Sequence, residues 1–180
     1  MNLVLVGLRA SGKSTVGRIL SERLGRPFID TDALVIQQAG QSIRDIFAAE
    51  GEAEFRRRER EVIQRLTSSD RAVVALGGGA LEDERNRAAL RPIAHVVWLR
   101  ASAETLWQRM QADPATTETR PDLTAMGGLE EIRHLLAIRE PNFRGLADLI
   151  VDTDQRDPAD VAEQVGRWWQ GVAAARGGSS

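Results

Sequence analysis

An α/β domain built on a mainly parallel sheet is what this sequence predicts, and three observations predict it. Short apolar runs alternate with helical segments along the chain, the pattern of strands joined by right-handed crossovers. The first run passes through a glycine-containing loop directly into a helix. The composition, 42% hydrophobic and 28% charged over 180 residues with a net charge of −2, is that of one soluble globular domain spanning 1–180. That balance excludes a disordered or collagen-like chain and argues against a general nucleic-acid binder. With no cysteine, a disulfide scaffold, a thiolate zinc site and a cysteine nucleophile are excluded. No apolar run approaches the roughly 18–20 residues of a membrane helix, and no leader-like segment precedes the first strand. The expectation is a cytoplasmic protein with neither membrane nor nucleic acid as partner.

The elements follow in order. Residues 2–6 are continuously apolar, as in a strand buried on both faces. Lys13 to Leu24 is a helix with Val16, Ile19, Leu20 and Leu24 as its stripe, stopped by Gly25 and Pro27. Phe28-Ile29-Asp30 is a short strand, and Thr31 to Ala39 a helix ended by Gly40. Ser42 and Asp45 resemble a capping box for a helix closed by Gly51, after which 52–66 forms another. Residues 72–76 are a strand running into Gly77-Gly78-Gly79, followed by a polar helix; residues 95–99 are the next strand. Ser102 caps a helix reaching about Gln111. Residues 112–128 have few apolar anchors and read as a long mobile loop. A helix from Leu129 stops at Pro141, Leu149-Ile150-Val151 is the last strand, and Asp157-Pro158 opens a final helix over about 158–176. Its stripe is Val161, Val165, Trp168 and Val172.

In such sheets ligands bind at the carboxyl ends of the strands. After the first strand stands Gly7-Leu8-Arg9-Ala10-Ser11-Gly12-Lys13-Ser14-Thr15, the P-loop pattern G-x-x-x-x-G-K-[ST] in its required strand–loop–helix context. Its backbone N–H groups and the helix N-terminus form a cradle for phosphate. Lys13 is the single lysine among 24 basic residues. It supplies a point charge for the β- and γ-phosphates, and Ser14 a hydroxyl for Mg²⁺. The motif specifies a nucleotide and says nothing of the acceptor.

After the second strand, Asp30-Thr31-Asp32 offers two carboxylates. Strand alternation places them on one side, where one serves Mg²⁺ through water and the other takes a proton from a hydroxyl. The plainer alternative is that Asp32 or Thr31 caps the next helix. On the helix over 52–66, Phe55, Val62 and Leu66 fall within about 20° of one direction, and Glu59 lies about 40° away, inside the apolar stripe. A carboxylate there needs a partner, and Arg56, three residues earlier, provides it. The pair reads as a buried glutamate aiming a guanidinium fork at a carboxylate ligand. Arg57, Arg58, Arg60 and Glu61 read as a solvated charge run. Gly77, Gly78 and Gly79 suit a backbone that touches ligand, or simply a flexible turn. No Walker B acid follows the third strand and no guanine-reading N-K-x-D is present, which disfavours a motor ATPase or regulatory GTPase. His95 and His134 lack metal-ligand spacing and read as incidental.

Taken together, the P-loop, D-T-D, S-I-x-D-I-F (Ser42 to Phe47), G-E-x-x-F-R-x-x-E (Gly51 to Glu59), G-G-G-A (Gly77 to Ala80), R-P (Arg120-Pro121), R-x-P (Arg139 to Pro141) and V-D-T (Val151 to Thr153) resemble the shikimate kinases over about residues 2–158. The resemblance implies a P-loop, nucleoside-monophosphate-kinase-like three-layer sandwich: a five-stranded parallel sheet flanked by helices, a substrate-binding segment at about 31–62 and a mobile lid at about 112–128. It implies a monomer that uses ATP and Mg²⁺ to phosphorylate the 3-hydroxyl of shikimate. By position, Asp32 would bind the acceptor hydroxyls as candidate base, Arg56 and Arg139 would hold the carboxylate, and Phe47 and Phe55 would wall the pocket. Gly77, Gly78 and Gly79 would meet the ring hydroxyls, and Glu59 would brace Arg56. Ala10, Ser11, Gly12, Lys13, Ser14, Thr15, Arg109, Arg120 and Arg156 would bind ATP, with Lys13 and Arg120 on the transferring phosphoryl group. Ser14, and Asp30 through water, would serve Mg²⁺. This sequence departs from the family in three places. Ala10 replaces a usual glycine, which a negative φ would accommodate. The lid reads Arg120-Pro121-Asp122-Leu123 in place of R-P-L-L, and Phe143 replaces a tyrosine. Two other readings stay open: a related P-loop kinase for another small hydroxy acid such as gluconate, and a nucleotide-binding module without turnover.

Overall fold

The computed structural model describes residues 1–68, 70–112 and 127–177, without the side chains of the last two. Five strands, β1 (Asn2–Val6), β2 (Phe28–Asp30), β3 (Val73–Ala75), β4 (Ala94–Arg100) and β5 (Leu149–Asp152), form a sheet in the order β2-β3-β1-β4-β5. Neighbouring strands run parallel, with Leu5 opposite Ala75 on one side and Val97 on the other. Successive connections therefore leave β1 toward opposite edges. The crevice at its carboxyl end is where such sheets bind ligands.

Among the described residues the helices are α1 (Lys13–Leu24), α2 (Thr31–Ala39), α3 (Ile43–Leu66), α4 (Glu84–Leu90), α5 (Ala103–Ala112), α6 (Gly128–Leu146) and α7 (Pro158–Gly177), with one 3₁₀ turn at Ala80–Glu82. The strands are apolar throughout because both faces are covered. Val4, Val6, Val74, Leu76 and Trp98 pack with Ile63, Leu66, Leu90, Leu106 and Phe143 from the helices on one side. Leu3, Leu5, Val73, Val97 and Val151 pack with Val16 and Leu20 of α1 and Val161, Val165 and Trp169 of α7 on the other. On α7 the stripe thus ends at buried Trp169, with Trp168 only partly covered. A third cluster, Val35, Ile43, Ile46, Phe55 and Val62, roots α2 and α3 beside the crevice. No helix among the described residues is long and apolar enough to cross a membrane.

The local signals hold at most boundaries. Gly25 (φ 59) and Gly40 (φ 68) end α1 and α2 in left-handed conformations. Ser42 Oγ accepts from the Asp45 N–H at 3.1 Å, and Asp157 Oδ1 accepts from that of Ala159 at 2.7 Å. The two helices expected on either side of Gly51 are joined in one span, and Gly51 (φ 82, ψ 167) is the break between them. Three expectations need correction. Strand β2 ends at Asp30, so Asp32 lies in the first turn of α2 and strand alternation does not place it. The cap there is Asp30, whose Oδ1 accepts from the N–H groups of Asp32 and Ala33. Helix α6 also runs through Pro141 to Leu146. The proline removes one helical hydrogen bond at a cost of about 3 kcal/mol. Phe143 and Leu146 beyond it are buried, at about 1.5–3 kcal/mol each, and the continued helix wins. Phe143 packs against Trp98 with ring centroids 5.8 Å apart, an apolar setting that suits a ring without a hydroxyl. Finally, Arg60 is not part of a solvated run: it reaches Asp83 at 3.2 Å and ties α3 to the cap of α4.

Candidate active site

Residues 7–15 curl over the carboxyl end of β1 and feed into α1. Gly12, at φ 94, occupies the N-cap position and puts no side chain over the first-turn N–H groups, so the positive end of the helix faces the loop. The Lys13 ammonium donates to the carbonyls of Gly7 at 2.8 Å and Leu8 at 2.7 Å, lying back along the loop it belongs to. Ser14 Oγ donates to Asp30 Oδ2 at 2.7 Å. The strand-end carboxylate and the loop hydroxyl therefore meet, as their proposed common role requires. Ala10 is the exception to expectation. Its φ is 62, in the left-handed region that a β-carbon disfavours by about 1–2 kcal/mol.

Beside the loop, Ala10, Ser11, Gly12 and Thr15 share a groove with Arg109, Arg156 and Thr153. Arg109 donates to the Ala10 carbonyl at 3.3 Å and to Thr153 Oγ1 and O at 3.2 and 2.6 Å. It thus laces the P-loop to the segment after β5. Arg156 donates to Gln164 Oε1 at 2.7 Å and to the Asp152 carbonyl at 3.2 Å. Pro158 and Val161 add an apolar floor, a role beyond the helix start and helix stripe that their positions predict. Arg120, and with it nearly all of the expected lid, lies outside the described residues.

On the other side of the loop a second pocket gathers Asp32, Phe47, Phe55, Arg56, Gly78, Gly79 and Arg139. These residues come from α2, α3, the turn after β3 and α6. Gly77 lies beneath this pocket and does not line it. Its N–H donates to buried Thr31 Oγ1 at 2.9 Å. A β-carbon on Gly77 would stand 2.6 Å from Asp32 Oδ1 and 2.8 Å from Glu59 Oε1, so only glycine lets these two carboxylates approach the turn. Phe47 and Phe55 pack with centroids 5.1 Å apart as one wall.

The helix arithmetic for Glu59 holds. It is 1% exposed, and its Oε2 accepts from Arg56 Nη1 at 3.0 Å. Burial pushes the Glu59 carboxyl up to about 7 against the opposing pull of Arg56, and the charge of Asp32 adds to the rise. Burial also works against the Arg56 charge, yet Glu59, Glu52 and Glu82 together hold its pKa above the usual value.

Further contributors to the pocket were missed, Leu8 and Ile43 of its lining among them. Arg9 lines the pocket and pairs at 3.1 Å with Glu131, whose side chain has no exposed surface. Glu82 accepts from Arg139 Nε at 2.7 Å. Ile132 and Leu135 complete the apolar wall. The helical period on α6, which puts Ile132, Leu135 and Arg139 on one face, could have drawn attention to Ile132 and Leu135; no local signal marks Arg9 or Glu82. His95 lies away from both pockets, between Asp148 and the rings of Trp168 and Trp169.

The family model for shikimate kinase matches residues 9–170. A shikimate kinase of Symbiobacterium thermophilum is 48% identical over 92% of this chain and 94% of its own length. One from Syntrophus aciditrophicus is 41% identical over 94% and 91%. The solved structure of a shikimate kinase from Acinetobacter baumannii in complex with shikimate superposes with a TM-score of 0.88 at 38% identity, covering 94% of this chain and 93% of that one. Two pockets flanking one phosphate loop, together with matches that cover about nine tenths of the chain, lead to one conclusion: the chain belongs to the shikimate kinase family.

Proposed function

We propose that the chain transfers the γ-phosphate of ATP to the 3-hydroxyl of shikimate. The observation that carries this reading is the convergence of Arg56 and Arg139, from separate helices, on a pocket that also holds Asp32 and abuts the P-loop. Two guanidinium forks suit a carboxylate, and a carboxylate base beside a phosphate cradle suits a hydroxyl acceptor. In this reading Arg56 and Arg139 bind the acceptor's carboxylate and leave its ring against Phe47, Phe55 and the Gly78–Gly79 backbone. Asp32 orients the accepting hydroxyl and takes its proton as the phosphoryl group arrives. Lys13 turns from its own loop carbonyls toward the β- and γ-oxygens, with the α1 N-terminus behind it. Arg109 and Arg156 flank the nucleotide, and Arg120 of the lid is assigned to the transferring group by resemblance.

The donor set fits Mg²⁺. A hydroxyl and one carboxylate 2.7 Å apart at the loop mouth leave coordination positions for water and phosphate oxygens, as this ion prefers. Ser14 would hold it directly and Asp30 through water, and the ion when bound neutralises charge on the phosphates. A monomer is what the family resemblance implies. The activity belongs to aromatic amino-acid biosynthesis, and the reading places it in the cytoplasm.

The test is ADP release from MgATP with shikimate, quinate, gluconate or no acceptor. Shikimate should give by far the highest kcat/KM. Equal rates with and without acceptor would support the module without turnover, and preference for gluconate the related kinase.

A further inference from the structure

Three arginines line the acceptor pocket, and each is met by a glutamate. The glutamates differ in one respect that bears on acceptor binding. Glu131, opposite Arg9, has no exposed side-chain surface, and Glu59, opposite Arg56, has 2%. Both are fixed in the fold. Glu82, opposite Arg139, is 39% exposed, and its Oε1 lies 2.7 Å from Arg139 Nε and 4.0 Å from Arg56 Nη2. Glu52 is 61% exposed but is paired only with Arg56. Among the described residues, Glu82 is thus the one carboxylate at the water-facing side that reaches toward both of the arginines assigned to the acceptor. Its backbone is held independently of its side chain: the N–H donates to the Gly79 carbonyl at 3.0 Å, and its own carbonyl accepts from Arg87 at 3.1 Å.

We propose that Glu82 is the protein's own substitute for the acceptor carboxylate, holding Arg139 and facing Arg56 until shikimate displaces it into solvent. The proposal rests on the reading that these two arginines bind the acceptor carboxylate. Arg139 is a nearly buried cation, and such a cation without a counter-charge is costly. Glu82 meets that need in the free enzyme and keeps the fork in place. An incoming carboxylate exchanges one charge-assisted contact for another, so only the surplus appears as affinity. A neutral polyol cannot make the exchange, because displacing Glu82 would leave Arg139 unpaired. Glu82 therefore lowers affinity for carboxylate acceptors while excluding neutral ones. It acts through the arginines and is a specificity-determining residue.

The sign of one change decides the matter. Glu82→Gln and Glu82→Ala should each lower both the Kd and the KM for shikimate by about five- to tenfold, the release of competition from one half-exposed charged contact. The ATP KM should stay level, and the neutral shikimate methyl ester should bind these variants more tightly than it binds the parent enzyme, because it no longer has to displace Glu82. Where a variant is less stable, the rise in Tm on adding shikimate should still exceed that of the parent enzyme. A shikimate Kd that stays level or rises in these variants would make Glu82 a structural brace of Arg139 and overturn the proposal. Arg139→Lys run in parallel separates the two readings. If it weakens shikimate binding while the Glu82 variants fail to tighten it, this proposal alone falls. If it leaves shikimate binding unchanged, the assignment of the arginines falls and takes the proposal with it.

Discussion

The phosphate loop and the acceptor pocket adjoin at the carboxyl end of β1, and they are built by opposite means. The loop is one contiguous stretch, residues 7–15, whose chemistry is mostly backbone N–H groups, a helix end and a single ammonium. The pocket is assembled from side chains that lie from Leu8 to Arg139 in the chain. Each of its arginines is paired with a buried or half-buried glutamate. A backbone cradle depends on local conformation and tolerates change in the surrounding side chains. A pocket of buried ions depends on long-range packing, and a change in one partner is felt by the others. Substitutions should therefore separate cleanly by side, and each prediction below probes that separation.

The largest expected effect is at the seam. Asp32→Asn retains shape and hydrogen bonding but loses charge and basicity. Turnover at saturating shikimate should fall by at least about a hundredfold, within the range of general-base contributions, while MgATP binding persists. Near-normal turnover would reduce Asp32 to a dispensable contact in the first turn of α2. Because phosphoryl transfer is largely dissociative, lost orientation contributes to the same fall.

A smaller effect tests the ionic coupling within the pocket. With the Glu59 carboxyl at about 7, well above its ordinary 4.5, the anionic brace of Arg56 disappears as the pH drops below neutrality. The shikimate KM should rise about three- to tenfold between pH 8 and pH 6, the ATP KM far less, and Glu59→Gln should flatten the shikimate profile. Stability should move the other way. A carboxyl whose pKa is raised by folding contributes stability that is present below about 4.5 and is lost as the pH climbs through about 7. Urea midpoints across that window, in the parent chain and in Glu59→Gln, check the sign.

The smallest effect belongs to the loop. Ala10 sits at φ 62, so Ala10→Gly should relieve about 1 kcal/mol of backbone strain, partly offset by the greater freedom of glycine when unfolded. A rise in Tm of about 1–3 °C is expected for a domain of this size, with no change in the shikimate KM. A fall in Tm would mean that the loop relaxes to a negative φ at Ala10.

The same contrast governs what the sequence disclosed. The loop was legible because a contiguous motif carries its own geometry. Glu59 and Arg56 were legible because three residues of helix bring them together, and the period could be counted. Asp32 lines the pocket the sequence pointed to, though not by strand alternation, since β2 ends at its third residue, Asp30, which caps α2. Glu82, Glu131 and Arg9 stayed hidden. Their meaning lies in contacts 57 and 122 residues apart in the chain, and no local period reports such a pairing. The run of α6 through Pro141 was missed for the same reason: the burial of Phe143 that offsets the proline depends on Trp98 of β4.

The claim that the two sides are separable is tested most directly by titrating Arg56→Lys with each ligand in turn. Lysine keeps the charge but cannot make the two-pronged contact. Shikimate binding should weaken by about 2–4 kcal/mol, the loss of a charge-assisted bidentate contact, while the ATP-analogue Kd stays within about twofold of the parent. Parallel losses of similar size for both ligands would show that Arg56 supports the whole crevice and would contradict the account.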